Sequence, residues 1–255
     1  MEQLNSYIFK SDELSNLTLA QIVNKIHSAS EIFEKYNIDF CCNGSKLFSE
    51  VCAEKKLNAD AVIKEILNIK PISFSDNFRF SKWELDFLVD YIVNNHHQYI
   101  RDSIPKISFH AEKVISAHGK NHPELDEVSK IFSVVYKDLK QHLLKEEEIL
   151  FPYIKNLSKV KNNSAKYERP YFGQVSNPIR MMELEHEAAG NDLFKIRRIT
   201  DNYKIPVDAC NTYAFFYNEL KEFEEDLHKH VYLENNILFP KSIELEEKIL
   251  SENKF

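Results

Sequence analysis

Turn-forming residues are scarce in this sequence, which has only four glycines and eight prolines among 255 residues. A β-sandwich or β-barrel needs such residues between its many short strands, so the composition argues against both folds. Leucine, isoleucine, glutamate and lysine are prominent instead, and they favour helices joined by short loops. We therefore predict an all-α protein that is long enough to bury a sizeable core.

The sequence also lacks long apolar runs, a signal peptide and blocks of basic residues. No apolar run approaches the roughly 20 residues that span a bilayer, and the N-terminus lacks the charged and apolar regions of a signal peptide. The formal net charge of −7 argues against nucleic acid as the main partner, because phosphate binding needs clustered lysine and arginine. We expect a cytoplasmic protein that binds neither membrane nor nucleic acid.

Cysteine is rare as well, and the four residues are Cys41, Cys42, Cys52 and Cys210. Adjacent cysteines cannot easily form a disulfide with each other, and this pair lacks the second pair of a zinc array. Gly44 and a helix predicted to start at Ser45 indicate an exposed turn with a lowered thiol pKa, hence a reactive or metal-handling pair. The alternative is a pair of small buried residues. The apolar helical patterns around the other two cysteines predict core positions.

One pattern occurs twice, as Asp-x3-His-x3-Glu-x2-Ile-Leu-Phe-Pro from Asp138 to Pro152 and from Asp226 to Pro240. The offset between equivalent residues is 230 − 142 = 88. A further histidine precedes each copy by nearly the same distance, since 142 − 97 = 45 and 230 − 186 = 44. The sequence is therefore predicted to contain an internal duplication of a two-helix unit.

The spacing of the repeated motif places its histidine and glutamate on one face of a helix. Four packed helices would then bring together the six candidate ligands His97, His142, Glu146, His186, His230 and Glu234. Imidazole and carboxylate ligands without thiolate favour iron, manganese or zinc, and two carboxylates able to bridge favour a pair of ions. A single copy would more often be a solvated ion pair, but two copies in the same apolar frame favour the metal site.

Other polar residues near the motifs have alternative predicted roles. Asp138 and Asp226 are either acceptors for the second ring nitrogen of a ligand histidine or surface carboxylates. His118 could join the site only if Pro105 turned its helix back. The remaining histidines lack repeat partners and are predicted to be surface or structural, namely His27, His96, His110, His122 and His228.

The chain divides into two predicted units. In residues 1–75, a capping box at Thr18 and a cap at Asn58 start helices of a small domain that carries the cysteine pair in its central turn. Residues 71–77 form a predicted linker, and residues 78–255 form the four-helix bundle. Within the bundle we predict a crossover loop at 158–178 and a last long helix that starts at Pro206.

These features together resemble the iron-sulfur cluster repair di-iron proteins, the RIC family. The resemblance covers essentially the whole chain and rests on Asp39-Phe40-Cys41-Cys42-x-Gly44, His142-x3-Glu146, Glu185-His186-Glu187-Ala188 and His230-x2-Leu233-Glu234-Asn235-Asn236. It implies a hemerythrin-like bundle with two non-haem, carboxylate-bridged iron ions on the six ligands named above. It also implies a homodimer that repairs clusters damaged by nitric oxide or peroxide by donating iron, with a thiol or iron-transfer role for Cys41 and Cys42. The implied partners are damaged iron-sulfur proteins or a cluster-assembly scaffold.

A different class of function stays open at this point. The same site could bind O2 or NO as a carrier or sensor, or reduce NO, so the sequence does not decide whether the protein is an enzyme. Iron donation requires a labile site, whereas reversible gas binding requires a retained one.

Overall fold

The computed structural model describes residues 14–26, 28–68 and 80–252. In these ranges the regular structure is helical apart from one antiparallel bridge between Thr18 and Leu47, so the all-α prediction is confirmed. The predicted linker at 71–77 lies outside the described residues. Of the helices in the described ranges, none is both long and apolar enough to cross a bilayer.

In the residues that the structure describes, the N-terminal unit includes the short helices α1 (Leu19–Lys25), α2 (Ala29–Lys35), α3 (Phe48–Glu54) and α4 (Ala59–Asn68). The predicted capping box is present, because the Gln21 amide donates to Thr18 Oγ1 at 3.2 Å and the Thr18 amide donates to Gln21 Oε1 at 3.0 Å. The Ala61 amide donates to Asn58 Oδ1 at 3.1 Å, as the second predicted cap requires. Stacked Phe33 and Phe48 rings, 6.0 Å apart, lie in the core of this unit.

The bundle consists of four helical arms, of which three contain a π-helical segment. Arm A comprises α5 (Leu85–Ile92), π1 (Val93–His97) and α6 (Gln98–His118); arm B comprises α7 (Glu124–Lys145), π2 (Glu146–Leu150) and α8 (Phe151–Lys161); arm C is α9 (Ser176–Ile199); arm D comprises α10 (Asn211–Leu233), π3 (Glu234–Leu238) and α11 (Phe239–Glu252). Arm A packs most extensively against arm D, and arm B against arm C. This architecture confirms the predicted four-helix bundle.

Three predicted boundaries differ from the structure. The short helix after the cysteine pair begins at Phe48 rather than at Ser45, because the chain first makes a turn in which the Lys46 amide donates to the Asn43 carbonyl. Arm C begins at Ser176, so the crossover loop is shorter than predicted. Pro206 opens a turn in place of a helix, and α10 begins five residues later.

The N-terminal unit packs directly on the bundle. Asn236 Nδ2 donates to the Cys41 carbonyl at 2.9 Å, and the Tyr232 hydroxyl donates to the Ala20 carbonyl at 3.2 Å. The Phe40 ring lies 5.8 Å from the Tyr232 ring, centroid to centroid. These contacts hold the cysteine turn against arm D beside π3.

Candidate metal centre

The structure brings all six candidate ligands together in one buried cluster in the middle of the bundle, called the chamber below. They are His97 from arm A, His142 and Glu146 from arm B, His186 from arm C, and His230 and Glu234 from arm D. Each of these residues is at most 1% exposed, although burying so many polar groups is costly without compensating partners. Apolar packing alone therefore does not explain why these six polar side chains are buried together.

The π-helical segments coincide with the ligands. His97 is the last residue of π1, Glu146 is the first residue of π2, and Glu234 is the first residue of π3. A π-helical turn inserts one extra residue, which shifts the face that a helix presents from that point on. In arms B and D a proline follows six residues after the glutamate, and a proline cannot donate to the carbonyl four residues earlier. The proline of the Ile-Leu-Phe-Pro frame thus disfavours continuous α-helical hydrogen bonding at the two duplicated turns.

The six side chains form two groups that share both glutamates. One group is His97 and His230, whose Nε2 atoms lie 3.2 Å apart, and the other is His142 and His186, with Nε2 atoms 3.0 Å apart. Glu234 reaches both groups, since its Oε1 lies 2.9 Å from His230 Nε2.

The other oxygen of Glu234, Oε2, lies 3.1 Å from His186 Nε2. Glu146 Oε2 lies 3.4 Å from His97 Nε2 and 3.3 Å from His142 Nε2. Both glutamates therefore reach both pairs of histidines.

These distances are compatible with ligation of shared cations as well as with hydrogen bonding. Two ligand atoms about 2.1 Å from one ion stand about 3.0 to 3.4 Å apart at octahedral to tetrahedral angles. Glu146 Oε1 and Oε2 and Glu234 Oε2 are buried without a hydrogen-bond partner among the described residues. Buried carboxylate oxygens in this condition are expected when a cation belongs beside them. The six residues could hold two cations.

Three of the four histidines are oriented by a partner on the other ring nitrogen. His97 Nδ1 lies 2.6 Å from Glu147 Oε1, His142 Nδ1 lies 2.9 Å from Glu185 Oε2, and His186 Nδ1 lies 2.9 Å from Asn235 Oδ1. Such partners fix the tautomer and turn Nε2 toward the chamber. His230 Nδ1 is buried without a partner among the described residues.

Protons compete with cations for this chamber. Burial alone lowers the pKa of His97, but hydrogen bonds to Glu147 and Glu234 and the nearby charges raise this pKa to about 9. Burial likewise opposes the charge on His142, yet Glu146 raises the pKa of His142 to about 10. At His230, burial prevails and lowers the pKa. A cation that enters near neutral pH must therefore displace protons from His97 and His142.

The two repeat aspartates differ from each other in the structure. Asp138 is exposed, and the Nδ1 partner of His142 is Glu185, so of the two alternatives Asp138 is a surface carboxylate. Asp226 is partly buried, and its Oδ1 lies 3.0 Å from His96 Nδ1.

The remaining histidines that the structure describes lie outside the chamber. His118 ends the uninterrupted helix α6, with its ring 5.4 Å from the Tyr213 ring at the start of arm D, so Pro105 does not turn the chain back. His96 is buried, which excludes the surface role for it. The others pair with carboxylates, namely His110 with Glu219, His122 with Glu124 and Asp208, and His228 with Glu34. His27 lies outside the described residues.

The cysteine pair lies in a tight turn organised by Asp39. Asp39 Oδ1 accepts hydrogen bonds from the amides of Cys41 and Cys42 at 3.1 and 2.9 Å, and the two sulfur atoms are 3.9 Å apart. Cys41 is buried, and the hydrogen bond with Cys42, burial and the charge of Asp39 raise the pKa of its thiol. The prediction of an exposed turn with a lowered pKa is therefore wrong for Cys41, while Cys42 is partly exposed.

The two isolated cysteines behave differently. Cys52 is buried, as predicted. Cys210 is exposed, so its predicted core position is wrong. It is the N-terminal cap of α10, where the Tyr213 amide and the His118 side chain lower the pKa of its thiol to about 7.

Sequence reasoning missed the residues that orient the ligands. Glu147 and Asn235 each follow a chamber glutamate directly, and Glu185 directly precedes His186. The signal was therefore the sequence neighbour of a repeated ligand, and two of these neighbours, Glu147 and Asn235, lie within π-helical turns.

Comparisons with known proteins agree with this geometry. A family model described as a hemerythrin HHE cation binding domain matches residues 88–242, and a model of an ScdA_N domain of unknown function matches residues 15–70. The chain is 34% identical to a probable iron-sulfur cluster repair protein of Haemophilus influenzae over 224 residues, which cover 88% of this chain and 95% of that protein. It is 32% identical to the iron-sulfur cluster repair protein YtfE of Enterobacter sp. strain 638, over 88% of this chain and 96% of that protein.

Proposed function

Because this chain belongs to the family of iron-sulfur cluster repair proteins with a hemerythrin-like cation-binding domain, we propose that it repairs iron-sulfur clusters damaged by nitrosative or oxidative stress by donating iron to them. The observation that carries the proposal is the buried chamber of nitrogen and oxygen ligands beside a turn that bears two thiols. The chamber would store the cargo, and the thiols would help to pass it on.

We propose that the chamber holds two non-haem iron ions. One ion would bind His97 and His230, the other would bind His142 and His186, and the two glutamates would bridge them. Carboxylate bridges from facing helices are the usual construction of di-iron sites in helical bundles. A variant with both Glu146→Ala and Glu234→Ala should contain no coupled iron pair, and a pair that persists in metal analysis and spectroscopy would contradict the assignment.

Release of iron is favoured by the chemistry of the ligands. Imidazole and carboxylate hold ferrous iron less firmly than the thiolates and sulfides of a cluster, so transfer to a cluster protein is downhill. The raised pKa values of His97 and His142 assist this step, because protons can take the nitrogen positions that the departing ion leaves. The positive charges of the protonated histidines would then balance the negative charges of the buried glutamates after the ions have left.

Cys41 and Cys42 are proposed to act outside the resting chamber, in a thiol or iron-transfer role. The support is positional: Asn236 stands two residues after Glu234 and donates to the carbonyl of Cys41. In a transfer, each thiol that binds ferrous iron would lose its proton, and the oxidation state of the iron would not change. The acceptor would be a damaged iron-sulfur protein or a cluster-assembly scaffold in the cytoplasm.

Reactivation of a [4Fe-4S] dehydratase inactivated by nitric oxide tests the function. The iron-loaded protein should restore activity, and the Cys41→Ser/Cys42→Ser variant should keep its iron content and optical spectrum but reactivate more slowly. Cys210→Ser is the matched control, because Cys210 lies at the other end of arm D from π3, and this variant should behave like the unmodified protein. An unchanged rate in the double variant would remove the cysteine pair from the mechanism.

Failure of the unmodified protein to restore any activity would favour O2 or NO binding, or NO reduction, at the same site. Rates of iron loss to a chelator in the oxidised and reduced forms then separate a labile store from a retained centre. We also propose that the protein is a homodimer, which sedimentation equilibrium of the full chain tests.

A further inference from the structure

The duplication extends to the residues that orient the histidines, with one exception. His142 is oriented by Glu185, the residue directly before His186. In the other half of the repeat, His230 takes the place of His142, and the residue directly before His97 takes the place of Glu185. That residue is His96, so a second imidazole stands where the repeat would put a carboxylate.

His96 does not orient His230 itself. The two rings are nearly parallel, with their centroids 5.9 Å apart and their planes 6° apart, and His230 Nδ1 has no hydrogen-bond partner among the described residues. The Nδ1 of His96 instead lies 3.0 Å from Asp226 Oδ1. Through this contact, His96 holds the carboxylate of Asp226 on the side of the chamber where His230 lies.

One potential donor, on His230, and one potential acceptor, on Asp226, remain without hydrogen-bond partners among the described residues. His230 Nε2 faces the chamber, 2.9 Å from Glu234 Oε1, so a metal-bound, neutral His230 carries its hydrogen on Nδ1. This Nδ1 and Asp226 Oδ2 are both buried, and neither has a hydrogen-bond partner among the described residues. Asp226 lies four residues before His230 in α10, which places both side chains on the same helix face.

We propose that Asp226 is the positioning residue of His230 in the metal-loaded protein. Its Oδ2 accepts the Nδ1–H of His230, while its Oδ1 stays on His96. The Asp226–His96 pair thereby replaces the single carboxylate that Glu185 supplies in the other half. This inference rests on the two-ion assignment proposed above.

The repeat provides a matched control. Asp138 is the counterpart of Asp226, four residues before His142 in α7, but it is exposed, and His142 is already oriented by Glu185. Substitution of Asp138 therefore removes the same chemical group from the same motif position without touching the orientation of a ligand.

The experiment compares Asp226→Ala with Asp138→Ala in the full chain loaded with iron. Loss of an orienting partner weakens metal binding about 10- to 100-fold, and only the ion bound by His97 and His230 should be affected. Iron loss from Asp226→Ala to a chelator should therefore become biphasic, with about half of the iron leaving at least about tenfold faster. Asp138→Ala should release iron like the unmodified protein.

A rescue variant separates orientation from general destabilisation. His96→Glu in the Asp226→Ala background places a carboxylate at the position equivalent to Glu185, and it should return the fast phase to the original rate. Circular dichroism of each variant without iron shows whether the helices form. Equal, single-phase iron loss in the two aspartate variants, or absence of rescue with the helices intact, would overturn the proposal.

If Asp226→Ala does not fold, Asp226→Asn is the second variant. It keeps one acceptor oxygen for two imidazoles and should show a smaller acceleration in the same fast phase, whereas an unchanged release rate would overturn the proposal. The iron content of the unmodified protein reports separately on the proposed function, because a chain that binds fewer than two irons fails that assignment before any variant is compared.

Discussion

At the scale of single residues, one asparagine joins the cysteine turn to the candidate metal centre. Asn236 donates to the Cys41 carbonyl at 2.9 Å from within π3, and its Oδ1 faces Gly44. A Cβ atom on Gly44 would stand 2.0 Å from this oxygen. Gly44 is therefore required because the Asn236 side chain approaches the backbone of the turn closely.

Gly44→Ala should lower the free energy of unfolding by about 1 to 3 kcal/mol, because the added methyl group forces the turn away from Asn236. Urea unfolding followed by circular dichroism measures this change. Asn236→Ala added to Gly44→Ala should cost less than the sum of the two single changes, since the clash with Asn236 is then gone and only the Phe40 carbonyl oxygen, 2.9 Å from the added Cβ, still crowds it. Gly190→Ala is the control: this helical glycine has no atom within 4 Å of an added Cβ, and alanine there should stabilise α9 by about 1 kcal/mol.

Cys210 offers a second prediction at the same scale. Because the pKa of its thiol is lowered to about 7, the thiolate population should rise between about pH 6 and pH 8 and then level off. Iodoacetamide labelling followed by peptide mass spectrometry should find Cys210 the most reactive of the four cysteines at pH 7. His118→Ala should move the midpoint to higher pH, because it removes one of the groups that stabilise the thiolate.

Buried Cys52, whose pKa burial raises, provides the slow reference in this labelling. A labelling rate at Cys210 that keeps rising beyond pH 9, as an ordinary thiol does, would contradict the prediction.

At the scale of elements, helical periodicity predicted which residues of the repeated motif share a helix face, but it did not predict the π-helical turns within that motif. Spacing alone placed His142 with Glu146 on one face, and the structure has them on one face. Periodicity assumes a constant 3.6 residues per turn, so it could not locate π1, π2 and π3. The same limitation hid Glu147 and Asn235, whose orientation depends on those turns.

Pro240→Ala tests whether proline maintains the π-helical turn. The new amide at position 240 can donate to the Asn236 carbonyl, so π3 should relax toward a regular α-helix and turn Glu234 away from the chamber. We expect the free energy of unfolding to stay the same or rise by about 1 kcal/mol, while iron loss to a chelator becomes at least about tenfold faster.

Pro105→Ala is the control for this change, because Pro105 is exposed within α6, which continues through it. This variant should be stabilised and keep its iron. Equal iron retention in the two proline variants would show that π3 persists without Pro240.

At the scale of the whole molecule, long-range symmetry was predictable and local irregularity was not. The duplication predicted four arms and the meeting of six polar residues from all four of them, because a repeated motif with a repeated gap allows few arrangements. Loop ends were misplaced where a proline opened a turn, as at Pro206, since proline fits the first turn of a helix and a tight turn equally well. The burial of Cys41 and the exposure of Cys210 depend on packing between distant elements, which periodicity within one helix does not report.

The last prediction concerns the contribution of the docked N-terminal unit to folding, iron binding and stability. All six candidate ligands lie on the four arms, so a chain of residues 78–255 should fold and bind iron by itself. It should nevertheless be less stable than the full chain, because Tyr232 loses the cover of Phe40 and the partner of its hydroxyl group, and exposing such a side chain costs about 2 kcal/mol.

Iron analysis, urea unfolding and dehydratase reactivation on the truncated and full chains measure the three properties separately. The truncated chain should retain its iron and lose repair activity at least as far as the Cys41→Ser/Cys42→Ser variant of the full chain, which keeps the docked unit but lacks the thiols. An unfolded or iron-free truncated chain would mean that the N-terminal unit completes the bundle. Repair activity equal to that of the full chain would mean that the acceptor takes iron from the chamber without passing the cysteine turn.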